Sequence, residues 1–113
     1  MKNNTFTIKK DKYKSSRGAY SRILNVFCRK CEKLVLVYQK DGPGNLRRLY
    51  LDRILDPKYL LNIQDKEIED ISALKCSKCG EVLGTAYIYP KEKRPAYRLF
   101  QDSVVKRIRK KLV

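Results

Sequence analysis

The sequence predicts a mostly β fold of small antiparallel sheets, with basic extensions at both ends. Short runs rich in β-branched and aromatic residues alternate with turn residues along the middle of the chain. Four cysteines occur as two Cys-x-x-Cys pairs, and each pair is followed by such a run. The basic residues are concentrated at the two ends, whereas the middle is nearly balanced in charge. Together these features predict one small β domain between two basic segments.

The length of 113 residues fits one domain, which the charge distribution divides into three segments. Residues 1–22 carry seven basic residues and one acid, and they are expected to form a disordered arm. Residues 23–103 carry fifteen basic and eleven acidic residues and are expected to form the folded domain. Residues 104–113 carry five basic residues and no acid, and are expected to form a tail.

The first half of the domain predicts a β-hairpin. Residues 34–38 are rich in β-formers and predict a buried strand, and the turn residues at 41–45 follow. Residues 49–51 then predict the returning strand. Asp56-Pro57 ends this unit, and 58–70 fit either a short helix or an irregular loop.

The second half predicts another pair of strands behind the second cysteine pair. Residues 71–75 lead into that pair, and 82–89 alternate as a strand does. A charged turn at 90–95 precedes a returning strand at 96–100. From residue 103 onward the apolar spacing fits both helix and strand.

The cysteine pairs carry the strongest chemical signal. Cys28 and Cys31 form one pair, and Cys76 and Cys79 form the other after 44 intervening residues. A two-residue spacing lets one tight turn direct two sulfurs at a single ion, and Gly80 suits such a turn. Two turns supply the tetrahedral four-sulfur site that Zn²⁺ occupies in closed, structural positions.

Two alternatives to zinc remain open at this point. The cysteines could be free or redox-active, although a thioredoxin-like motif needs a βαβ context that the pattern does not supply. Iron can also bind four thiolates.

The chain has no apolar run of the ~20 residues that span a bilayer, and no apolar segment follows its basic start. A cytoplasmic protein with reduced thiols and no transmembrane segment is therefore expected.

The cysteine turns resemble those of zinc ribbons and, more narrowly, of the β-tent families. The stretch from Cys76 through Cys79 to Leu83-Gly84 is similar to the Cys-x-x-Cys…Leu-Gly element of Yippee proteins, the thalidomide-binding domain of cereblon and the zinc-bearing C-terminal domain of RNA-sensing helicases. The resemblance covers about 27–100 and implies two antiparallel sheets pinned by zinc at their apex. Thr85 stands where those families' Leu-Gly-Trp motif has tryptophan, so their ligand cage is not expected here.

The net charge of +15 predicts a polyanionic partner, namely nucleic acid, with RNA favoured over DNA and the ribosome as one such assembly. Basic residues that alternate with tyrosines are suited to phosphates and unpaired bases. The absence of a recognition-helix pattern argues against sequence-specific DNA reading. The expected contacts are Lys9, Lys10, Lys12, Lys14, Arg17, Tyr20, Arg22, Lys91, Lys93, Arg94, Lys106, Arg107, Arg109, Lys110 and Lys111.

Other functions have weaker support in the sequence. A protein-interaction adaptor that docks on a large assembly such as a polymerase is the alternative, and the C-terminal apolar and basic residues also fit a membrane surface. Catalysis is not expected, because the chain has no histidine and its cysteines are assigned to metal. The acidic residues at 65–70 fit a solvated face, and no phosphate-binding glycine loop or small-molecule site is expected.

Overall fold

Two four-stranded antiparallel sheets form the fold in the computed structural model, which describes residues 8–16, 18 and 21–109. One sheet has the order β4-β2-β1-β8 and the other has the order β3-β7-β6-β5. This confirms the predicted mostly β class. The strands of the described residues are β1 (Ser21–Cys28), β2 (Leu34–Asp41), β3 (Arg48–Tyr50), β4 (Ile54–Asp56), β5 (Leu74–Lys75), β6 (Val82–Tyr89), β7 (Arg94–Leu99) and β8 (Val104–Ile108).

The helical elements are short. Helix α1 spans Lys12–Ser16 and α2 spans Lys58–Leu61, while Leu51–Arg53 and Ile68–Asp70 are single 3₁₀ turns. The region 58–70, which the sequence left open, is therefore a short helix followed by turns. Within the described part of the chain, no helix combines the length and the apolar character that crossing a bilayer requires.

Strand pairing confirms one predicted hairpin and corrects the other. Strands β6 and β7 pair as expected around the charged turn. The predicted return at 49–51 is wrong, because β3 pairs with β7 in the second sheet, whereas β2 pairs with β1 and β4. The chain crosses between the sheets here because Leu49 and Leu51 are fully buried and the Tyr50 N–H donates to the Tyr38 hydroxyl at 2.9 Å.

The two segments predicted to lie outside the domain are partly integrated into it. Val104–Ile108 form β8, an edge strand that pairs with β1 in the register Phe27↔Val105. The boundary predicted at 103/104 from charge therefore lies beside a strand of the fold. The charge pattern missed this because Lys106 and Arg107 are exposed on the edge strand, while Val104 packs against the core.

The described residues of the N-terminal segment also contact the domain, whereas the sequence predicted a disordered arm for 1–22. The Lys9 N–H donates to Gln39 Oε1 at 2.7 Å, and Gln39 Nε2 donates back to the Lys9 carbonyl at 2.9 Å. Asp11 accepts hydrogen bonds from the N–H groups of Tyr13 and Lys14, so its side chain caps the start of α1. The single acid of this basic segment thus caps α1 and also forms an ion pair with Arg53.

A buried arginine, Arg53, connects the N-terminal segment to the end of β2. The Arg53 side chain is 1% exposed, and it donates to Asp41 Oδ2 at 2.8 Å and to Asp11 Oδ1 at 2.6 Å. Asp41 also accepts hydrogen bonds from Ser21 and Gln39. Burial alone would raise the pKa of Asp41, but these donors lower it below the ordinary value. The hydrogen bond from Arg53 lowers the pKa of Asp11 to about 2.

The apolar core lies between the sheets. Its fully buried members include Val26, Leu36, Leu49, Ile54 and Leu83. Cys28 and Cys76 belong to the same cluster, so the core extends to the cysteines at one end of the molecule.

We predict that Asp41→Ala lowers the free energy of unfolding by about 3–5 kcal/mol, because it removes one partner of a buried ion pair. Glu81→Ala is the control, since the Lys30–Glu81 pair is exposed and is worth at most about 1 kcal/mol. Urea denaturation of the two metal-loaded variants measures the difference. Equal losses in both variants would show that the Arg53 cluster does not stabilise the fold.

Candidate metal centre and basic surface

The first cysteine turn joins β1 to β2. Cys28 is the last residue of β1, and Cys31 lies in the turn that follows. The Cys28 N–H donates to the Lys33 carbonyl at 2.9 Å, and the Glu32 N–H donates to the Cys28 carbonyl at 2.8 Å. Glu32 has φ +67°, a left-handed conformation that favours glycine. The turn therefore closes tightly and brings both side chains to one side.

The second cysteine turn joins β5 to β6 and repeats the same hydrogen bonds. The Cys76 N–H donates to the Glu81 carbonyl at 2.9 Å, and the Gly80 N–H donates to the Cys76 carbonyl at 2.9 Å. Gly80 has φ +79° and occupies the position that Glu32 occupies in the first turn. Cys79 precedes it. The role predicted for Gly80 in a sharp turn is confirmed.

The four sulfurs converge at one end of the two sheets. All lie within 4.8 Å of one another, with Cys28 Sγ 3.7 Å from Cys79 Sγ and Cys31 Sγ 3.4 Å from Cys76 Sγ. Sulfurs at ~2.3 Å from a tetrahedral ion are separated by about 3.8 Å, so these distances fit a single metal ion. The separations are far longer than the ~2.05 Å of a disulfide, in agreement with four free cysteines.

The electrostatics of the thiols also fit a cation. Burial raises the pKa of Cys76, but hydrogen bonds from the Cys79 and Lys78 N–H groups and from neighbouring thiols lower it to about 6. The Glu81 N–H lowers the pKa of Cys79, while burial and the surrounding sulfurs raise it by more, to about 11. Four thiolates this close repel one another, and a divalent ion compensates that repulsion.

Apart from Arg94, the predicted nucleic-acid contacts fall into three groups. Arg17, Tyr20, Lys110 and Lys111 lie outside the described residues. Lys14, Arg22 and Arg109 are half-buried, and Arg109 donates to Asn25 Oδ1 at 2.9 Å. The exposed members are Lys9, Lys10, Lys12, Lys91, Lys93, Lys106 and Arg107.

Three exposed lysines from distant parts of the sequence line one shallow pocket. Lys12 comes from α1, while Lys91 and Lys93 come from the β6–β7 turn, and Tyr13 lies among them. We call Lys12, Lys91 and Lys93 the lysine patch. Its members were predicted separately as part of an arm and part of a hairpin tip, and the fold of α1 onto the domain brings them together.

Arg94, which was also predicted as a nucleic-acid contact, is buried. It is 3% exposed, with its guanidinium 3.9 Å from the Tyr13 ring and 3.8 Å from the Tyr50 ring. It donates to Asp52 at 2.7 Å and to Glu92 at 3.0 Å. This arginine is therefore an internal cation that joins α1 to the second sheet.

Sequence reasoning missed a second concentration of positive charge, on the face of the second sheet. Arg47, Arg48 and Arg98 lie around a groove with Tyr87 and Tyr89. The alternation of tyrosines along β6 indicated that they share a face. The sequence could not show that these tyrosines lie beside arginines, because this arrangement depends on the pairing of β3 with β7.

No family model, curated protein or solved structure matches this chain.

We predict that Cys76→Ser abolishes metal binding and unfolds the domain, because an ion held by all four sulfurs would tie the two sheets together and much of its binding free energy would be folding free energy. Elemental analysis and circular dichroism measure both effects. Ser77→Ala, an exposed neighbour in the same turn, should keep metal and fold. A Cys76→Ser protein with a full metal content and a native spectrum would contradict a four-cysteine site.

The shared geometry of the turns predicts opposite effects of glycine substitutions. Glu32→Gly should stabilise the folded protein by about 0.5–1 kcal/mol. A residue with a side chain costs ~1–2 kcal/mol in the left-handed region, and glycine removes this cost. Part of the gain is offset because glycine loses more backbone entropy on folding. Gly80→Ala should destabilise by about 1 kcal/mol through the backbone alone, since its Cβ would meet no atom within 4 Å. Thermal unfolding of the metal-loaded proteins tests both, and equal signs would refute the equivalence of the turns.

Proposed function

We propose that this chain is a non-catalytic zinc-binding module of the β-tent or zinc-ribbon kind, and that it binds RNA through its basic surface. The observation that carries the proposal is the excess of 27 basic over 12 acidic residues, with exposed lysines that converge in the lysine patch. Assemblies rich in RNA, such as the ribosome, have the anionic surface that this charge would meet.

The metal proposed is one Zn²⁺ per chain. Four thiolates in two tight turns form the donor set that zinc prefers in structural sites, with iron as the chemical alternative. Two sheets that meet at the cysteines support a β-tent arrangement, in which the ion takes the place of additional core. Four free cysteines stay reduced in a reducing compartment, which supports a cytoplasmic protein.

The placement of the acids increases the positive charge that the surface offers. Asp41 and Asp11 contact the buried Arg53, and Asp52 contacts the buried Arg94. These carboxylates neutralise internal cations rather than the lysines of the surface. A surface of this kind binds polyanions by releasing their counterions, so affinity is expected to fall steeply with salt.

RNA is favoured over DNA by the shape of the elements. In the described part of the chain the α-helices have five and four residues, shorter than the helices that read the DNA major groove. Unpaired RNA is recognised instead by cations and aromatic rings on sheets and loops.

The alternative function, an adaptor that docks on a large assembly, is supported by exposed apolar side chains such as Tyr59 and Ile108, which are each 58% exposed.

A non-catalytic role is supported by the residues available for chemistry. The chain has no histidine, and its four cysteines would all be metal ligands. A four-cysteine zinc site is closed, so it has no open coordination position for water or substrate.

We predict that Lys12→Gln/Lys91→Gln/Lys93→Gln weakens RNA binding and lowers the slope of log affinity against log salt by about two, because each of the three lysines neutralises about one phosphate and each neutralised phosphate of a single strand contributes about 0.7 to the slope. The control is Lys58→Gln/Lys66→Gln/Lys75→Gln, which changes the net charge equally at exposed positions outside the patch. Fluorescence anisotropy with single-stranded RNA gives both slopes, and elemental analysis gives the zinc content.

Equal slopes for the two triple variants would remove the lysine patch from the binding surface. Absence of salt-sensitive RNA binding in the unaltered protein would overturn the RNA proposal. A stoichiometric protein partner without nucleic acid would then assign the adaptor function.

A further inference from the structure

A groove on the second sheet combines uncompensated arginines with aromatic rings. Its volume is about 900 Å³, and it lies between the loop before β3, the face of β6 and β7, and the residues after β7. We call it the arginine–tyrosine groove. Its lining includes three arginines and three aromatic residues, namely Arg47, Arg48, Arg98, Tyr87, Tyr89 and Phe100.

The arginines of the groove lie close to like charges and have no carboxylate partners among the described residues. Arg48 on β3 lies directly opposite Arg98 on β7, and like charges at directly opposite positions destabilise a sheet. Arg47, next to Arg48, is exposed. Among the described residues, none of the three has a carboxylate within salt-bridge distance, in contrast to Arg53 and Arg94. Asp102 is the one acid among the described residues that line the groove.

The tyrosines hold the arginines in place without neutralising them. The Arg48 guanidinium lies 4.0 Å from the centre of the Tyr89 ring, and its Nε donates to the Tyr87 hydroxyl at 3.1 Å. Arg98 lies 5.9 Å from the Tyr87 ring. Cation–π contacts and a neutral hydrogen bond leave the positive charge intact, so the groove presents oriented cations.

The combination fits one ligand chemistry. Guanidinium groups bind phosphates through paired hydrogen bonds, and aromatic rings stack on bases that are not paired. Phe100 lines the groove and is 47% exposed, so its ring is accessible to a ligand there. Pro90, at the β6–β7 turn, also lines the groove, so the groove reaches the turn that carries Lys91 and Lys93 of the lysine patch.

We propose that the arginine–tyrosine groove binds an unpaired RNA strand, with its arginines on phosphates and Phe100 stacked on a base. The inference rests on the proposed RNA-binding function and identifies a site that the basic termini do not include. An acidic protein segment is the competing occupant. It would satisfy the arginines but would have no base to stack on Phe100.

The test measures binding of a labelled single-stranded oligouridine of about 12 nucleotides to the full zinc-loaded chain. Arg47→Gln/Arg98→Gln should weaken binding about 10-fold and lower the salt slope by about one or more. The matched control is Lys58→Gln/Lys66→Gln, which removes the same charge from exposed positions elsewhere and should weaken binding less than about 3-fold. Phe100→Ala should weaken binding about 5-fold or more with the salt slope unchanged, since stacking carries no charge.

The outcomes separate the groove from the function on which it rests. RNA binding that responds equally to the arginine variant and to the lysine control would overturn the groove and leave RNA binding intact. No effect of Phe100→Ala, or equal affinity for a duplex, would overturn stacking on an unpaired strand. If poly-glutamate binds in an Arg98-dependent manner while oligouridine does not bind at all, the groove belongs to an acidic protein and both proposals fail. Zinc content and circular dichroism confirm that each variant is folded.

Discussion

The convergence of four sulfurs at one end of the molecule is the constraint on which the fold depends. Each cysteine turn belongs to a different sheet, so an ion held by all four sulfurs would join the sheets directly. Cys28 and Cys76 are buried in the same cluster as the aliphatic residues. A chain of 113 residues buries a modest core, and metal binding adds free energy where apolar burial is limited.

The interior also holds two buried arginines, and each has two carboxylate partners that compensate its charge. Arg53 and Arg94 both tie the N-terminal segment to the domain, one through Asp11 and the other through the ring of Tyr13. Removing one partner from such a cluster costs more than the pair contributes, because an uncompensated charge stays buried. These internal clusters pair four carboxylates with two arginines. Fewer acids therefore remain to neutralise exposed lysines and arginines, and the surface is more basic than the composition alone suggests.

This division of charge connects stability to the proposed function. Cations that the fold uses are compensated and buried, whereas the lysine patch and the arginine–tyrosine groove face solvent. The placement of Arg48 directly opposite Arg98 is unfavourable for the sheet, yet it concentrates positive charge beside aromatic rings. An arrangement that opposes stability in this way is expected where a ligand contributes the missing charge.

The sequence by itself determined the features that depend on local spacing. A two-residue spacing between cysteines lets one tight turn direct both sulfurs to one side, and alternation from Val82 to Tyr89 predicts a strand with a nearby return. Only the tertiary structure decided which strands are neighbours, because β3 and β8 join their sheets through burial and long-range pairing that no local pattern encodes. For the same reason charge alone could not separate Arg94, buried among rings and carboxylates, from Arg98, which is exposed. A basic residue has the same local signature in both settings, and its partners across the fold decide whether it stabilises the protein or faces a ligand.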